Sequence, residues 1–326
     1  MASSSGGNSL DQTTCSAPDM AVVLSKHARE LVPGQIKSLI ESLERNFNLF
    51  VYDPSCAHDP SELARVCKTS SCRSTLIIGG DGTLNWALNQ LGTNKPFAVF
   101  PAGTANDLAT HQNLPRDVEG ALRTIQEGKT VEIDLIQVND RLFATAGGGG
   151  LPADCALWIS TFRDRGPLSV LAIEKLGPLA YQFAAVGNIL LRSGIEQELN
   201  IAVEGAEPED TPQDLILLSP GFLVTNQGTL AGKLRVAPGA LNNDGVFEIF
   251  VLSAASRFKL LRILFGLRAG AFARTKDFQL IKASAAMITC SEPSRFFGDG
   301  ELLAEGREFR LRIAEKALKL ISRNVS

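Results

Sequence analysis

The sequence predicts an α/β domain on a parallel sheet, followed by a second, mainly antiparallel β domain. Three observations predict it. Short apolar runs alternate with helical periodicity up to about residue 130, the pattern of a parallel sheet with crossover helices. Two of those runs stop abruptly in glycine-rich polar loops. Beyond residue 130 strand signals dominate, separated by Gly, Pro and Asn clusters. A length of 326 residues agrees with two domains at roughly 150 residues each.

Taken in order, Ala21-Val22-Val23-Leu24 is a buried strand. Residues 35–46 place Ile36, Leu39, Ile40 and Leu43 at helical spacing. Phe50-Val51-Tyr52 is a second strand, and residues 61–67 have helical character. Thr75-Leu76-Ile77-Ile78 is a third strand, with a helix over 84–91, and Phe97-Ala98-Val99-Phe100 is a fourth. In the second part strands are expected at 131–133, 142–145, 201–203, 215–218, 222–224, 246–252, 278–283, 287–289 and 309–313. Inserted helices are expected over 168–191 and 256–272. The first 20 residues are rich in Ser, Gly and Thr and lack a basic start and an apolar stretch. They read as a disordered tail and not as a secretory signal.

Composition narrows the function. Net charge is −3, from 32 basic and 35 acidic residues, which argues against a nucleic-acid binder. No apolar run reaches 18 residues, so no transmembrane helix is expected. Six unevenly placed cysteines make no disulfide framework, so a cytoplasmic chain with reduced thiols is expected. Cys56, His58, Cys67 and Cys72 follow C-x-H-x8-C-x4-C, which does not match paired zinc knuckles.

The sharpest chemical feature is Gly79-Gly80-Asp81-Gly82-Thr83-Leu84-Asn85 at the end of the third strand. Glycines there let backbone N–H groups approach an anion, and the following helix turns its N-terminus to the same place. Thr83 adds a hydroxyl donor. Asp81 would repel phosphate, so it needs a cation, a hydroxyl proton or nearby amides. A second loop, Gly103-Thr104-Ala105-Asn106-Asp107, follows the fourth strand. Ligands of open parallel sheets bind beyond the strand C-termini, so two such loops define one crevice. Asp299-Gly300-Glu301 is a third carboxylate site, and its Asp-Gly is also the commonest hairpin signal.

In these motifs the chain resembles the diacylglycerol kinase-like lipid kinase family, which includes bacterial diacylglycerol kinases and sphingosine kinases. Gly79 to Asn85 is similar to its GGDGT loop, and Gly103 to Asp107 to its GTxND loop. The stretch from Phe143 to Asp154 resembles the opening of its second domain. Residues 238–245 resemble its P-x-A-x-x-x-D-G segment, and Asp299-Gly300-Glu301 its DGE motif. The resemblance covers nearly the whole chain after residue 20 and implies an α/β nucleotide-binding domain, a β-sandwich domain and an active site in the cleft between them. It divides the chain into residues 21–130 with 318–326, and 131–317. ATP would sit on Gly79 to Asn85, with Thr104 contacting it and Asn106 and Asp107 completing the second loop. Asp299 matches the family's general base, and Glu301 its acidic partner, which helps hold a catalytic Mg²⁺. A structural Mg²⁺ would map to Asp244 and the carbonyls of Leu241 and Val246. Ser25-Lys26-His27-Ala28 departs from the pattern, because the family's Asn-Pro and Gly near the nucleoside are missing.

The chemistry agrees with that implication. Phosphoryl transfer needs positioning, charge neutralisation and a proton acceptor. Asp81, Asp299 and Glu301 supply carboxylates, and Mg²⁺ prefers oxygen ligands. The expected function is phosphorylation of a lipid hydroxyl by ATP, diacylglycerol being the first candidate. The alternatives are a NAD kinase, which shares GGDGT, and a catalytically silent lipid- or nucleotide-binding regulator. Residues 257–276 carry Arg257, Lys259, Arg262, Arg268, Arg274 and Lys276 among apolar residues and no acid. Such a helix suits transient contact with an anionic membrane, or packing with its basic side in water.

Overall fold

The computed structural model describes residues 17–26, 33–56, 59–163, 165–176, 179–191, 196–204, 213–231, 234–253, 256–269 and 278–323. Most of the expected N-terminal tail, and His27, Ala28, His58, Arg274 and Lys276, lie outside these residues.

Four apolar strands form the parallel sheet: β1 (Met20–Leu24), β2 (Leu49–Tyr52), β3 (Ser74–Gly79) and β4 (Phe97–Pro101). Their order is β2-β1-β3-β4, with Val23 opposite both Tyr52 and Ile77, and Ile78 opposite Phe100. β1 and β3 are buried on both faces, which is why they read as continuous apolar runs rather than alternating ones. The helices between them are α1 (Pro33–Glu44), α2 (Pro60–Lys68), α3 (Asp81–Leu91), α4 (Asp107–His111) and α5 (Val118–Glu127). α2 starts where Asp59 accepts from the Ser61 amide, and α5 where Asp117 accepts from the Gly120 amide. One core cluster, with Leu39, Leu43 and Ile125, lies on one face of the sheet; another, with Leu63, Leu84 and Leu88, lies on the other.

The second half is a β-sandwich. Its strands are β5 (Thr130–Val138), β6 (Arg141–Phe143), β7 (Ala146–Gly150), β8 (Gln197–Glu204), β9 (Gln213–Ser219), β10 (Gly221–Thr225), β11 (Thr229–Leu230), β12 (Leu234–Arg235), β13 (Phe247–Leu252), β14 (Phe278–Ala283), β15 (Ala285–Gly298) and β16 (Glu301–Ile321). The long β15–β16 hairpin joins the layers. One end of β15 pairs with β8, and its other end pairs with β7. Register shifts between Thr289 and Ser294 in β15, and between Ala314 and Leu318 in β16, bend the strands from one layer to the next. β16 continues into the first half, where Leu320 pairs with Phe97 of β4. Phe222, Phe296 and Phe309, wholly buried, fill the space between the layers.

Helices were underestimated by the sequence reading. Residues 168–191 form two helices, α7 (Pro167–Leu176) and α8 (Leu179–Leu191), and α6 (Leu151–Arg163) was not anticipated. The expected helix at 256–272 is α9 (Arg257–Ala269) within the described residues. These four helices pack on the outer face of the β7-β10-β13 layer through Ile159, Ala184, Ile263 and Phe250. β7 is Ala146 followed by four glycines, a composition with poor strand propensity. Its neighbours impose the strand: a Cβ at Gly147 would come within 2.6 Å of the Phe296 ring, and one at Gly148 would overlap the Phe222 carbonyl.

Candidate active site

The three motifs meet at the C-terminal ends of β3 and β4. Gly80 caps α3, and Asp81 opens it. The two glycine loops touch backbone to backbone: a Cβ at Gly80 would lie 3.0 Å from the Gly103 Cα. At Gly79 a Cβ would lie 2.7 Å from the Thr83 hydroxyl and 3.0 Å from the Ser25 Cβ. Ser25 donates its amide to the Ile78 carbonyl at 2.9 Å, so the departed segment begins beside the first loop. Asn106, in left-handed backbone, braces the second loop: its Oδ1 accepts from the Gly103 amide at 2.9 Å, and its Nδ2 donates to the Gly103 carbonyl at 2.6 Å. Asn106 therefore shapes the loop, while Thr104 is half-exposed. Leu84 turns away into the core and can contribute only backbone.

The acidic groups converge as well. Asp81 accepts from the Asp107 amide at 2.9 Å and the Leu108 amide at 3.1 Å, one on each oxygen. The Asp107 carboxylate accepts from the Ala231 amide at 3.0 Å and so ties α4 to the β11–β12 turn. Asp299 and Gly300 form the β15–β16 turn with φ of 52° and 85°, the doubly positive pair of a tight hairpin. The hairpin reading of Asp-Gly thus holds, and the turn aims the carboxylate inward. Both Asp299 oxygens are saturated. Oδ1 accepts from the Thr145 amide at 2.8 Å and hydroxyl at 2.6 Å; Oδ2 accepts from the Ala144 amide at 2.8 Å and Asn85 Nδ2 at 3.0 Å. Glu301 lies against the first loop, where a Cβ at Gly82 would be 2.5 Å from its Oε1.

Concentrated negative charge changes the acidities. Burial raises Asp81 to about 7, helped by the charges of Asp107 and Asp299 and opposed by its two amide donors. Burial also raises Asp299, against its four hydrogen bonds. The shared negative charge of these carboxylates is one that a nearby cation would offset.

From the carboxylates an apolar cavity of about 220 Å³ extends into the sandwich half. Asp81, Asp107, Thr145 and Asp299 line its polar end. Its walls are aliphatic or aromatic, including Leu151 of α6, Ile189 of α8, Leu223, Phe250 and Leu264 of α9. Cys155 also lines it, and burial raises that thiol to about 12, so it is un-ionised wall material.

The expected structural metal loop lies apart from this cluster. The buried Asp134 of β5 organises it, accepting from the Gly245 amide at 2.8 Å and the Lys316 amide at 2.6 Å. Val246 is buried, while Asp244 and Leu241 are exposed. Glu248 is buried beside Asp244, and its Oε2 lacks a hydrogen-bond partner. Burial raises Glu248 to about 7, and Lys282 at 3.7 Å opposes that rise. No three His, Cys, Asp or Glu residues converge as a metal cluster among the described residues. One or two carboxylates with carbonyls and water fit the way Mg²⁺ is commonly held. Thr145, Asp134 and Glu248 escaped the sequence reading. The available signal for Glu248 was a lone acid in an otherwise apolar strand, Val246 to Leu252; Asp134 stands among Glu132 and Gln137 and carries no such contrast.

The architecture, glycine crevice and β-sandwich define the fold class shared by diacylglycerol kinases and NAD kinases. Within it the chain belongs to the diacylglycerol kinase-like lipid kinase family: the diacylglycerol kinase catalytic domain matches residues 23–138, and the YegS C-terminal NAD kinase beta sandwich-like domain matches residues 171–322. It is similar to the Bacillus subtilis diacylglycerol kinase, 28% identical over 84% of this chain and 86% of that one. The Mycobacterium tuberculosis diacylglycerol kinase is 26% identical over 72% of each chain. Among solved structures, a diacylglycerol kinase from Bacillus anthracis superposes with a TM-score of 0.63 at 14% identity, over 94% of this chain and 98% of that one. A NAD kinase from Archaeoglobus fulgidus in complex with ATP gives 0.50 at 13% identity, over 94% of each chain. At those identities the two structures speak for the fold alone.

Proposed function

We propose that the protein is an ATP-dependent kinase that phosphorylates a hydroxyl of a membrane lipid, with diacylglycerol the first candidate. One observation carries this reading: an apolar cavity that ends on Asp81, Asp107 and Asp299. A dinucleotide acceptor would leave its riboses and phosphates against that apolar wall, whereas an acyl chain gains from burial there. ATP lies along Gly79 to Asn85, with Thr83 and Thr104 as hydroxyl donors. This reading takes residues 21–130 with 318–326 as one part and 131–317 as the other, with the crevice between them.

The lipid oxygen attacks the γ-phosphorus, the bond to the ADP oxygen breaks, and the hydroxyl proton passes to a carboxylate. The family resemblance gives that task to Asp299. Its four hydrogen bonds, against one on each oxygen of Asp81, support Asp81 as proton acceptor and Asp299 as the group that positions Thr145 and Asn85. A pKa near 7 suits proton transfer at neutral pH. Glu301 is the candidate holder of a Mg²⁺ that would neutralise phosphate charge when bound. Asp244, with the carbonyls of Leu241 and Val246, would hold a structural Mg²⁺.

The test is transfer of labelled γ-phosphate from ATP and Mg²⁺ to a detergent-dispersed lipid panel, with NAD as a separate acceptor. Wild type, Asp81→Asn and Asp299→Asn are compared. Labelled lipid from wild type, lost in Asp81→Asn, is the expected result. Labelled NAD without labelled lipid would overturn it in favour of the dinucleotide kinase. Lipid binding without turnover on any acceptor would instead mark a silent regulator.

A further inference from the structure

α3 carries two asparagines, Asn85 and Asn89, four and eight residues after Asp81. Asparagine is a weak helix former, so each needs a side-chain reason to stand there. Both reach the same peptide. Leu142 lies on β6, a three-residue strand that meets β5 opposite Gln137. Its N–H donates to Asn89 Oδ1 at 2.9 Å, and its carbonyl accepts from Nδ2 of Asn89 and of Asn85, each at 2.9 Å. Asn89 thus serves β6 as a neighbouring strand would. A backbone N–H only donates and a carbonyl only accepts, so Leu142 fixes both ends of the Asn89 amide. Asn89 Nδ2 then meets the Asn85 carbonyl at 2.9 Å and Asn85 Oδ1 at 3.3 Å. That leaves Asn85 Nδ2 for Asp299 Oδ2 at 3.0 Å. The polarity of one peptide is passed through two side chains to a buried carboxylate. The chain itself closes the circuit, because the Ala144 and Thr145 amides, just after Leu142, each donate to Asp299 at 2.8 Å.

We infer that Asn89 is a positioning residue for phosphoryl transfer, acting on Asp299 through Asn85 and the Leu142 peptide. It keeps the Asn85 amide turned with its nitrogen toward Asp299, and it holds β6 where the Ala144 and Thr145 amides seat on that carboxylate. A turned-over Asn85 would set Oδ1 against an Asp299 oxygen and the Leu142 carbonyl, two acceptor pairs with no proton between them. α3 also opens with Asp81, so the clamp near its far end ties the helix bearing one acid to the segment that holds the other. Networks of this kind constrain more than the sum of their pairs. The catalytic half of this inference rests on the kinase reading; the hydrogen-bond path does not.

The experiment follows labelled γ-phosphate from ATP and Mg²⁺ to detergent-dispersed diacylglycerol, using the full chain. Asn89→Asp keeps the size of the side chain and the acceptor for the Leu142 N–H, but sets an oxygen where Nδ2 stood. Its kcat should fall by at least about tenfold while the KM for ATP stays within about twofold. A packing role alone would tolerate the exchange. Gln90→Glu, the same amide-to-acid change at an exposed site of the same helix, is the control and should match wild type. Urea unfolding supplies a readout independent of the acceptor. Asn89→Ala, Asp299→Asn and the double variant form a cycle between two residues that share Asn85 as a partner. The double variant's unfolding constant should fall short of the product of the single effects by about fivefold or more. Asn89→Ala also takes over the kinetic comparison if Asn89→Asp does not fold. Wild-type kcat in the folded Asn89 variants, or an equal loss in Gln90→Glu, would remove Asn89 from the reaction. Additive unfolding effects would break the path to Asp299. A raised KM for ATP at unchanged kcat would assign Asn89 to nucleotide binding, against the inference. A coupled cycle with no lipid phosphorylated by wild type would sink the kinase reading and leave the hydrogen-bond path standing.

Discussion

Asp81 sits in the first turn of α3, facing Asp107 and Asp299, two groups of its own charge. Its pKa near 7, against 3.8 for an ordinary aspartate, ties function to stability. The folded-state value is the higher one, so this group's stabilising contribution is complete below the ordinary aspartate range and is lost as pH rises to about 7. Asp81→Asn should therefore abolish transfer. Its amide nitrogen faces one of the two backbone donors, which lowers stability at every pH. Its melting temperature relative to wild type should nonetheless climb from pH 4 to about 7 and then level. Thermal unfolding across that range, beside the labelled-phosphate assay, checks both halves. Asp299→Asn disturbs a larger hydrogen-bond set. An amide cannot accept four donors, so at least one buried N–H or O–H loses its partner, at a cost of about 1–3 kcal/mol. Its denaturant midpoint should fall, and a midpoint equal to wild type would count against the hydrogen-bond network as drawn.

At the scale of elements, the crevice depends on two glycine loops in backbone contact. Gly103→Ala would drive a methyl into Gly80 and separate the ends of β3 and β4. ATP affinity should fall by at least about tenfold, since a misplaced cradle loses its N–H contacts together; equilibrium binding of a non-hydrolysable ATP analogue reads this directly. On the substrate side, Ala185 of α8 lines the cavity. Ala185→Phe should shorten the acyl chain that is accepted and leave the KM for ATP unchanged, which a chain-length series would show. These elements differed in legibility. β1, β3 and β4 were plain from their apolar runs, because both faces are buried. β7 was not, because its glycines carry no periodicity and its strand is imposed by Phe222 and Phe296. α6 was read as part of a motif and not as a helix.

At the scale of the molecule, one sheet of 14 strands runs through both halves, with β16 belonging to each. Opposed carboxylates near the crevice, and Glu248 beside Asp244, accumulate charge that a divalent cation would neutralise. Mg²⁺ with an ATP analogue should therefore raise the melting temperature more at pH 8 than at pH 5, since Asp81 and Glu248, each near 7, are ionised only at the higher pH. An equal shift at both pH values would contradict that coupling. No helix among the described residues is long and apolar enough to cross a membrane.

By itself the sequence determined the fold class, the two glycine loops and the acid-bearing turn. Each is a local matter: strand burial, the freedom of glycine and the Asp-Gly hairpin all act over a few residues. Tertiary structure alone decided that Asp299, 214 residues from Asn85, would be held by it, that Thr145 would saturate the same carboxylate, and that the cavity would end on three acids. Those facts depend on how β15, β16 and β7 cross, through contacts between residues far apart in the chain. A local pattern can specify which groups are available, but their hydrogen bonding and acidity follow from the neighbours that long-range packing supplies.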